Sequence, residues 1–346
     1  MKKQLDIIQV YRGIAALMVV VHHVVPSLGY FQNFHYSWID FFASLGKYGV
    51  DFFFILSGFV INYSNAYKTE NNVAKFVKNR IIRIYVPYLP VGVGLYFLYL
   101  LLPSLSQNPR NISLLTSFTL IPHGSPALAV AWTLSFEMFF YLIYSLCLIN
   151  KRVWNIFLTF WVLLIIGVNS AGLQFTSPIL ELFFSWYNLE FVLGYVLSLL
   201  VVTNIVLNRG IIILLSLLFF CSFVLAMYLS LSPYPFFINS VFSLFSFFLI
   251  YYSIVYRNVK LKHNNFLMLI GNSSYSLYLI HGPLHAFIER YLPQTESLIV
   301  YMFYIFIVVV ICVLVGFFYY KIFEKYFIKV VKDTIFESGF PKSITP

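Results

Sequence analysis

RGIAALMVVVHHVV, residues 12–25, is an apolar run that begins on Arg12 and carries His22 and His23 near its far end. Extended to residues 6–29 it is long enough to cross a hydrocarbon core about 30 Å thick, which takes about 20 residues of helix. Charged and imidazole side chains are costly inside such a core and turn toward protein or a water-filled cavity, so each is a candidate for function. At about 100° and 1.5 Å per residue, Arg12 and His23 share nearly one helix face, roughly 16 Å apart along the axis. His22 points about 100° away. The face shared with Arg12 therefore selects His23, and leaves His22 to hydrogen-bond a neighbouring helix. No metal is expected at this pair, because adjacent helical residues diverge and no further ligand sits at a suitable spacing.

Composition carries the membrane reading over the whole chain. Of 346 residues, 61% are hydrophobic and 10% are charged, and the mean hydropathy is +0.86; an ordinary soluble domain has roughly 25% charged residues. The chain is predicted to be an all-α integral membrane protein of about ten transmembrane helices. They fall near residues 6–29, 48–66, 84–102, 127–149, 153–170, 178–202, 210–230, 235–256, 266–290 and 298–325. Apolar runs of this length, without a ten-residue alternation, argue against an outer-membrane barrel. With a cytoplasmic N-terminus, the loops on the inner side collect nearly all of the 22 Lys and Arg, leaving Lys47, Arg110 and Arg290 outside and Arg12 within a helix. That bias predicts both termini in the cytoplasm. It also accounts for the net charge of +10 without a nucleic-acid partner. The first helix reads as retained rather than as a cleaved signal, since it is long, holds Arg12 and lacks an A-x-A site. One membrane domain is expected over residues 1–326, followed by a short cytoplasmic tail, 327–346. Cys147, Cys221 and Cys312 are dispersed, so neither a disulfide framework nor a zinc site is indicated.

Depth brings three titratable groups together. His23 lies about 17 residues into an outward-going helix, Glu137 (in AWTLSFEMFFYL, 131–142) about ten into an inward-going one, and His281 (in GNSSYSLYLIHGPL, 271–284) about 15 into another outward-going one. A histidine oriented by a carboxylate works as a general base, so a catalytic site is expected where these three meet. The alternative is that Glu137 and His281 only tie helices together by hydrogen bonds. Asp51, at the start of the second helix, is expected to cap the helix terminus or to stay wet. Glu190 is expected to be deep, and Glu324, among lysines, to form solvated ion pairs. The stretch KFVKNRIIRIYVPY, 75–88, concentrates Lys75, Lys78, Arg80 and Arg83 immediately before the third helix. It serves topology or anionic headgroups, or it captures phosphate, for which the planar guanidinium is suited.

Seven strings in order then resemble the acyltransferase family 3 membrane proteins, which O-acylate bacterial surface glycans and some other sugars. They are YRGIAALMVVVHH (11–23), GKYGVDFFFILSGFVI (46–61), KNRIIRIYVPY (78–88), WTLSFEMFFY (132–141), FVLGYVLSLL (191–200), GNSSYSLYLIHGP (271–283) and FEKYF (323–327). The resemblance implies a catalytic His23 with Arg12 as its essential partner, donor binding by Arg80 and Arg83, and a WSLSxE string that falls on Trp132, Ser135 and Glu137. Thr133 stands where a serine is commoner, and FEKY lacks the family's usual proline after the lysine. The chain looks like the stand-alone type, without a hydrolase-like domain after the last helix. The implied donor is acetyl-CoA, with no metal. The implied acceptor is a surface polysaccharide or lipid-linked glycan, and the implied location is the bacterial cytoplasmic membrane, among its lipids.

On this reading the donor's phosphates sit at Arg80, Arg83 and Arg12, and its pantetheine arm runs along the Arg12-to-His23 face past Ala16. His23, held by Glu137, takes a proton from a sugar hydroxyl, or else carries the acyl group itself. Asp51, Trp132, Ser135 and His281 are expected to line the site. A transporter or flippase of lipid-linked sugars would share the spans and buried charges, but would not need a phosphate cluster joined to a midplane histidine. A signalling or structural membrane protein would need no convergence of charges.

Overall fold

The computed structural model describes residues 5–68, 72–103, 112–229, 235–257 and 265–337. Lys2, Lys3, Arg110, Lys260, Lys262 and Lys342, which enter the expected orientation, lie outside the described residues. Among the described residues nine helical runs are long and apolar enough to cross a membrane, and no β-strand occurs, only an isolated bridge between Ile112 and Ser125. A tenth helix, α12 (Phe266–Glu289), has 24 residues and coincides with the ninth expected segment. Its Asn272, serines and two histidines dilute its apolar character.

The first run is α1 (Asp6–Gln32). The second combines α2 (Ser37–Ser44), a 3-10 turn and α3 (Tyr48–Ala66). The third, α4 (Val73–Leu101), begins well before the expected residue 84, capped by the Asn72 side chain, which accepts from the Lys75 N–H at 2.8 Å. The basic stretch is therefore helical rather than a loop: a polar first turn hides from a hydropathy window but still hydrogen-bonds as helix. A short α5 (Leu114–Thr119) precedes α6 (Trp132–Ile149), then α7 (Lys151–Ser170). The next run is broken at Ser185 and Trp186 into α8 (Pro178–Phe184) and α9 (Tyr187–Val202). Then come α10 (Arg209–Tyr228), α11 (Pro235–Tyr252) and, after α12, α13 (Leu298–Tyr319). A π-helical turn at 320–324 leads from α13 into α14 (Lys325–Glu337), so helix continues past residue 326, where a tail was expected. Like α4, helices α7, α10 and α12 start on an asparagine cap, at Asn150, Asn208 and Asn265, which satisfies N–H groups that lipid cannot.

Two close helix pairs form the centre, α3 with α9 and α1 with α12. In lipid, association rests on close packing more than on hydrophobicity, and small residues permit it. A Cβ on Gly58 would lie 2.0 Å from the Phe191 carbonyl oxygen, and one on Gly194 2.0 Å from that of Ile55. Between α1 and α12, Gly13 faces Gly271, whose own Cβ would meet the Gln9 carbonyl at 2.0 Å. His23 and His281 each lie ten residues beyond one of these two glycines, so this crossing sets both imidazoles at one level. At the periphery α7 exposes Ile156, Phe160 and Leu163 while burying Trp154 and Trp161. On a water-facing surface such a stripe would be a liability; toward lipid it is the expected face.

Candidate active site

Between α1, α3, α4, α6 and α12 lies a cavity of about 110 Å³, lined by Arg12, Ser57, Arg80, Arg83, Glu137 and Tyr141, among others. Lys75 and Lys78 face outward from the first turns of α4, whereas helical phase turns Arg80 and Arg83 inward. The Arg80 guanidinium lies 5.2 Å from the Tyr141 ring centroid and 5.5 Å from that of Phe76, and donates to Ser64 Oγ at 3.4 Å. Arg83 sits 5.4 Å from the Tyr275 ring centroid and is ion-paired with Glu324.

Glu324 corrects one expectation. It is fully buried on the π-helical turn rather than solvated, and its second oxygen accepts from Ser276 Oγ at 2.5 Å. Arg83 is thus neutralised within the fold. Arg12 and Arg80 form no ion pair among the described residues and are the guanidiniums left to attract an anion.

A second cavity, of about 670 Å³, opens toward the other ends of α1 and α12, lined by His22, His23, Ser27, Tyr99, His285 and Arg290 among others. Pro26 and Pro283 line it too; each lacks an N–H and so releases a carbonyl one turn back in its helix. His23 Nδ1 lies 2.8 Å from the Val19 carbonyl oxygen. A carbonyl only accepts, so Nδ1 carries the proton and Nε2 is left as the acceptor. His281, fully buried, repeats the pattern: its Nδ1 lies 3.2 Å from the Leu277 carbonyl oxygen, and its Nε2 faces His23 Nδ1 at 3.4 Å. One tautomer of His23 is therefore held from two sides.

The two cavities meet at a thin layer. Thr133 and Tyr278 line the first, and Val130 lines the second. The Tyr278 hydroxyl lies 2.7 Å from Thr133 Oγ1 and donates to the Val130 carbonyl at 3.1 Å. The Tyr278 ring centroid is 5.7 Å from that of His281.

Of the three groups expected to converge, the structure brings His23 and His281 together and puts Glu137 elsewhere. Glu137 lies in the arginine cavity, accepting from Tyr141 and, at 3.4 Å, from Ser57 Oγ. It does not hold the imidazole; the Val19 carbonyl and His281 do. Depth along a helix does not fix the direction in which a residue faces, and α6 turns Glu137 toward the basic side.

The expected donor path along α1 fails for a similar reason. Ala16 is buried against Ile270, Leu277 and Val308 of α12 and α13, so of that face of α1 only Arg12 reaches the arginine cavity. His22 hydrogen-bonds the Ala43 carbonyl at 3.2 Å, the packing role expected of it, although it also borders the second cavity. Asp51 is not wet and lines neither of these two cavities: it is buried beside Glu190 and accepts from Asn239 Nδ2 at 2.8 Å, while Glu190 accepts from Ser243 at 3.1 Å. Ser135 is buried outside both linings, and Trp132 packs on Tyr187 at 5.3 Å.

Sequence reasoning missed His285, which lines the second cavity, and Glu289 behind it. His285 is buried, and its Nδ1 lies 3.2 Å from Glu289 Oε2; the other carboxyl oxygen, Oε1, is buried with no hydrogen-bond partner among the described residues. The signal was present, since His281, His285 and Glu289 follow one another at four-residue spacing on one helix face.

The family model described as an acyltransferase domain, that of acyltransferase family 3, matches residues 5–317. The exopolysaccharide production protein ExoZ of Rhizobium meliloti (strain 1021) is 27% identical over 165 residues, 45% of this chain and 51% of the relative. The chain thus spans about half the length of that curated relative. No solved structure matches the chain. With one family model running through nearly every helix that builds the two cavities, the chain belongs to acyltransferase family 3.

Proposed function

We propose that the protein is an O-acyltransferase of the bacterial cytoplasmic membrane that moves an acyl group, acetyl by preference, from cytoplasmic acyl-CoA to a hydroxyl of a surface polysaccharide or lipid-linked glycan. One observation carries this reading: an arginine-lined cavity and a histidine-lined cavity abut across the Thr133–Tyr278–Val130 layer. The phosphates of acyl-CoA match Arg80 and Arg12, and the thioester reaches His23 when that layer parts. The second cavity, the larger of the two, suits the bulkier glycan. The positive-inside bias puts the arginine side in the cytoplasm, where acyl-CoA is made. ExoZ, by its name, serves exopolysaccharide production, which favours a polysaccharide acceptor here.

The test is transfer of labelled acyl groups from acyl-CoA to glycan by the purified protein in proteoliposomes. Labelled glycan is the expected result; movement of a lipid-linked sugar across the bilayer without acylation would instead show a flippase. Within this assay, Arg80→Ala should weaken acyl-CoA binding about tenfold to a hundredfold, the loss of one charge-assisted contact of about 1.5–3 kcal/mol. Binding titrations at low and high salt check it, since screening by about 0.1 M salt acts within about 10 Å. Unchanged affinity would return Arg80 to a role in topology.

A further inference from the structure

Three imidazoles line the histidine cavity; His22 is held at Nδ1 by the Ala43 carbonyl, and His23 and His285 differ in what orients them. His23 donates to a backbone carbonyl, at 2.8 Å, and has only the neutral Nε2 of His281 beside that nitrogen. His285 pairs with Glu289 at 3.2 Å, and the ring centroids of His23 and His285 are 6.5 Å apart. In a low-dielectric site an imidazole with a built-in counter-charge is the better proton acceptor, and one fixed neutral with a free lone pair is the better nucleophile. A buried carboxylate beside a cavity is expensive to keep, and Glu289 lies under His285 with its Oε1 without a hydrogen-bond partner among the described residues.

Resting on the acyltransferase reading above, we propose that His285, positioned by Glu289, is the base for the acceptor hydroxyl, and that His23 is the residue that carries the acyl group. In the first step His23 Nε2 attacks the thioester carbonyl carbon, a C–N bond forms, the C–S bond breaks and CoA leaves as the thiolate. The acyl-imidazolium keeps its Nδ1 proton on the Val19 carbonyl. In the second step the glycan hydroxyl oxygen attacks the same carbon while its proton passes to His285 Nε2. The C–N bond breaks, and His23 returns neutral with Nδ1 still protonated. His285 then gives its proton to water, the thiolate gains one in the cytoplasm, and the sum is alcohol plus acyl-CoA giving ester plus CoA. Glu289 is a positioning residue, since it touches His285 and not the reacting atoms.

The two steps can be measured apart. Exchange of labelled CoA into acyl-CoA without acceptor reports the first, and labelling of glycan reports both. Wild-type protein should catalyse the exchange. His285→Ala should keep it within about threefold but lose about 10²- to 10⁴-fold in glycan acylation, and added imidazole should restore part of that loss. His285→Gln, closer in volume, should behave alike without a packing defect, and Glu289→Gln should lower glycan acylation while leaving exchange in place. Glycan acylation at wild-type rates in the His285 variants, or loss of exchange and acylation in parallel in both of them, overturns the assignment. Absence of exchange in a wild-type protein that does acylate glycan overturns the acyl-His23 step. A wild-type protein that acylates no glycan at all contradicts the acyltransferase reading itself.

Discussion

His23→Ala is expected to reduce acyl transfer at least about 10³-fold, within the range set by losing a group that meets the reacting atoms, while the protein still inserts and runs as a single species in detergent. His23 lines a cavity, and its ring bonds are to the carbonyl of its own helix at 2.8 Å and to His281 at 3.4 Å. Removing it therefore leaves the α1–α12 contact at Gly13 and Gly271 intact. His22→Ala is the control. It removes one hydrogen bond to the Ala43 carbonyl, worth about 1 kcal/mol net, and should cost only a few-fold in rate. Steady-state transfer rates on both variants, normalised to folded protein, check the pair. An essential His22 with a dispensable His23 would contradict both the helical phase and the tautomer assignment.

The largest effect on stability is expected at Glu324. Its carboxylate is fully buried against Arg83 and Ser276, and it joins the π-helical turn before α14 to α4 and α12. Breaking a buried pair by removing one partner costs about 3–5 kcal/mol, because the other charge is left unpaired. Arg83 is 32% exposed, so the lower end, about 3 kcal/mol, is expected for Glu324→Gln. The double variant Arg83→Met with Glu324→Leu removes both charges and should recover most of that stability, although it alters the arginine cavity. Thermal unfolding in detergent followed by tryptophan fluorescence measures both. Equal melting temperatures for wild type and Glu324→Gln would mean that the pair is not structural, and that Arg83 is as open to a donor phosphate as Arg80.

The parts of this molecule legible in the sequence are those with short range. Span length against bilayer thickness gives nearly every helix to within a few residues, because lipid forces the backbone to satisfy itself locally. It fails at the start of α4, where KFVKNR is too polar to register yet continues the helix from Asn72, and beyond residue 326, where charged α14 follows α13. The site was half legible. The phase from Arg12 picks out His23, but the partner of His23 depends on which helix lies beside α1. That choice is made by Gly13 against Gly271, a contact across most of the chain length. Glu137 shows the same limit from the other side: its depth is suitable, and its azimuth points it at Tyr141 and Ser57. His285 and Glu289 lie inside the expected segment 266–290 at four-residue spacing from His281, but that His285 faces the same cavity as His23 depends on how α12 packs beside α1.

The central claim is that an acyl group enters from the arginine side and leaves on a glycan at the histidine side. Proteoliposomes of one orientation, verified by protease access to a C-terminal tag, allow acyl-CoA and glycan to be supplied separately. The expected result is labelled glycan when acyl-CoA is present only on the side of Arg80 and the glycan only on the side of His285. Transfer that requires both substrates on one side, or that proceeds equally with acyl-CoA on either side, would contradict the account.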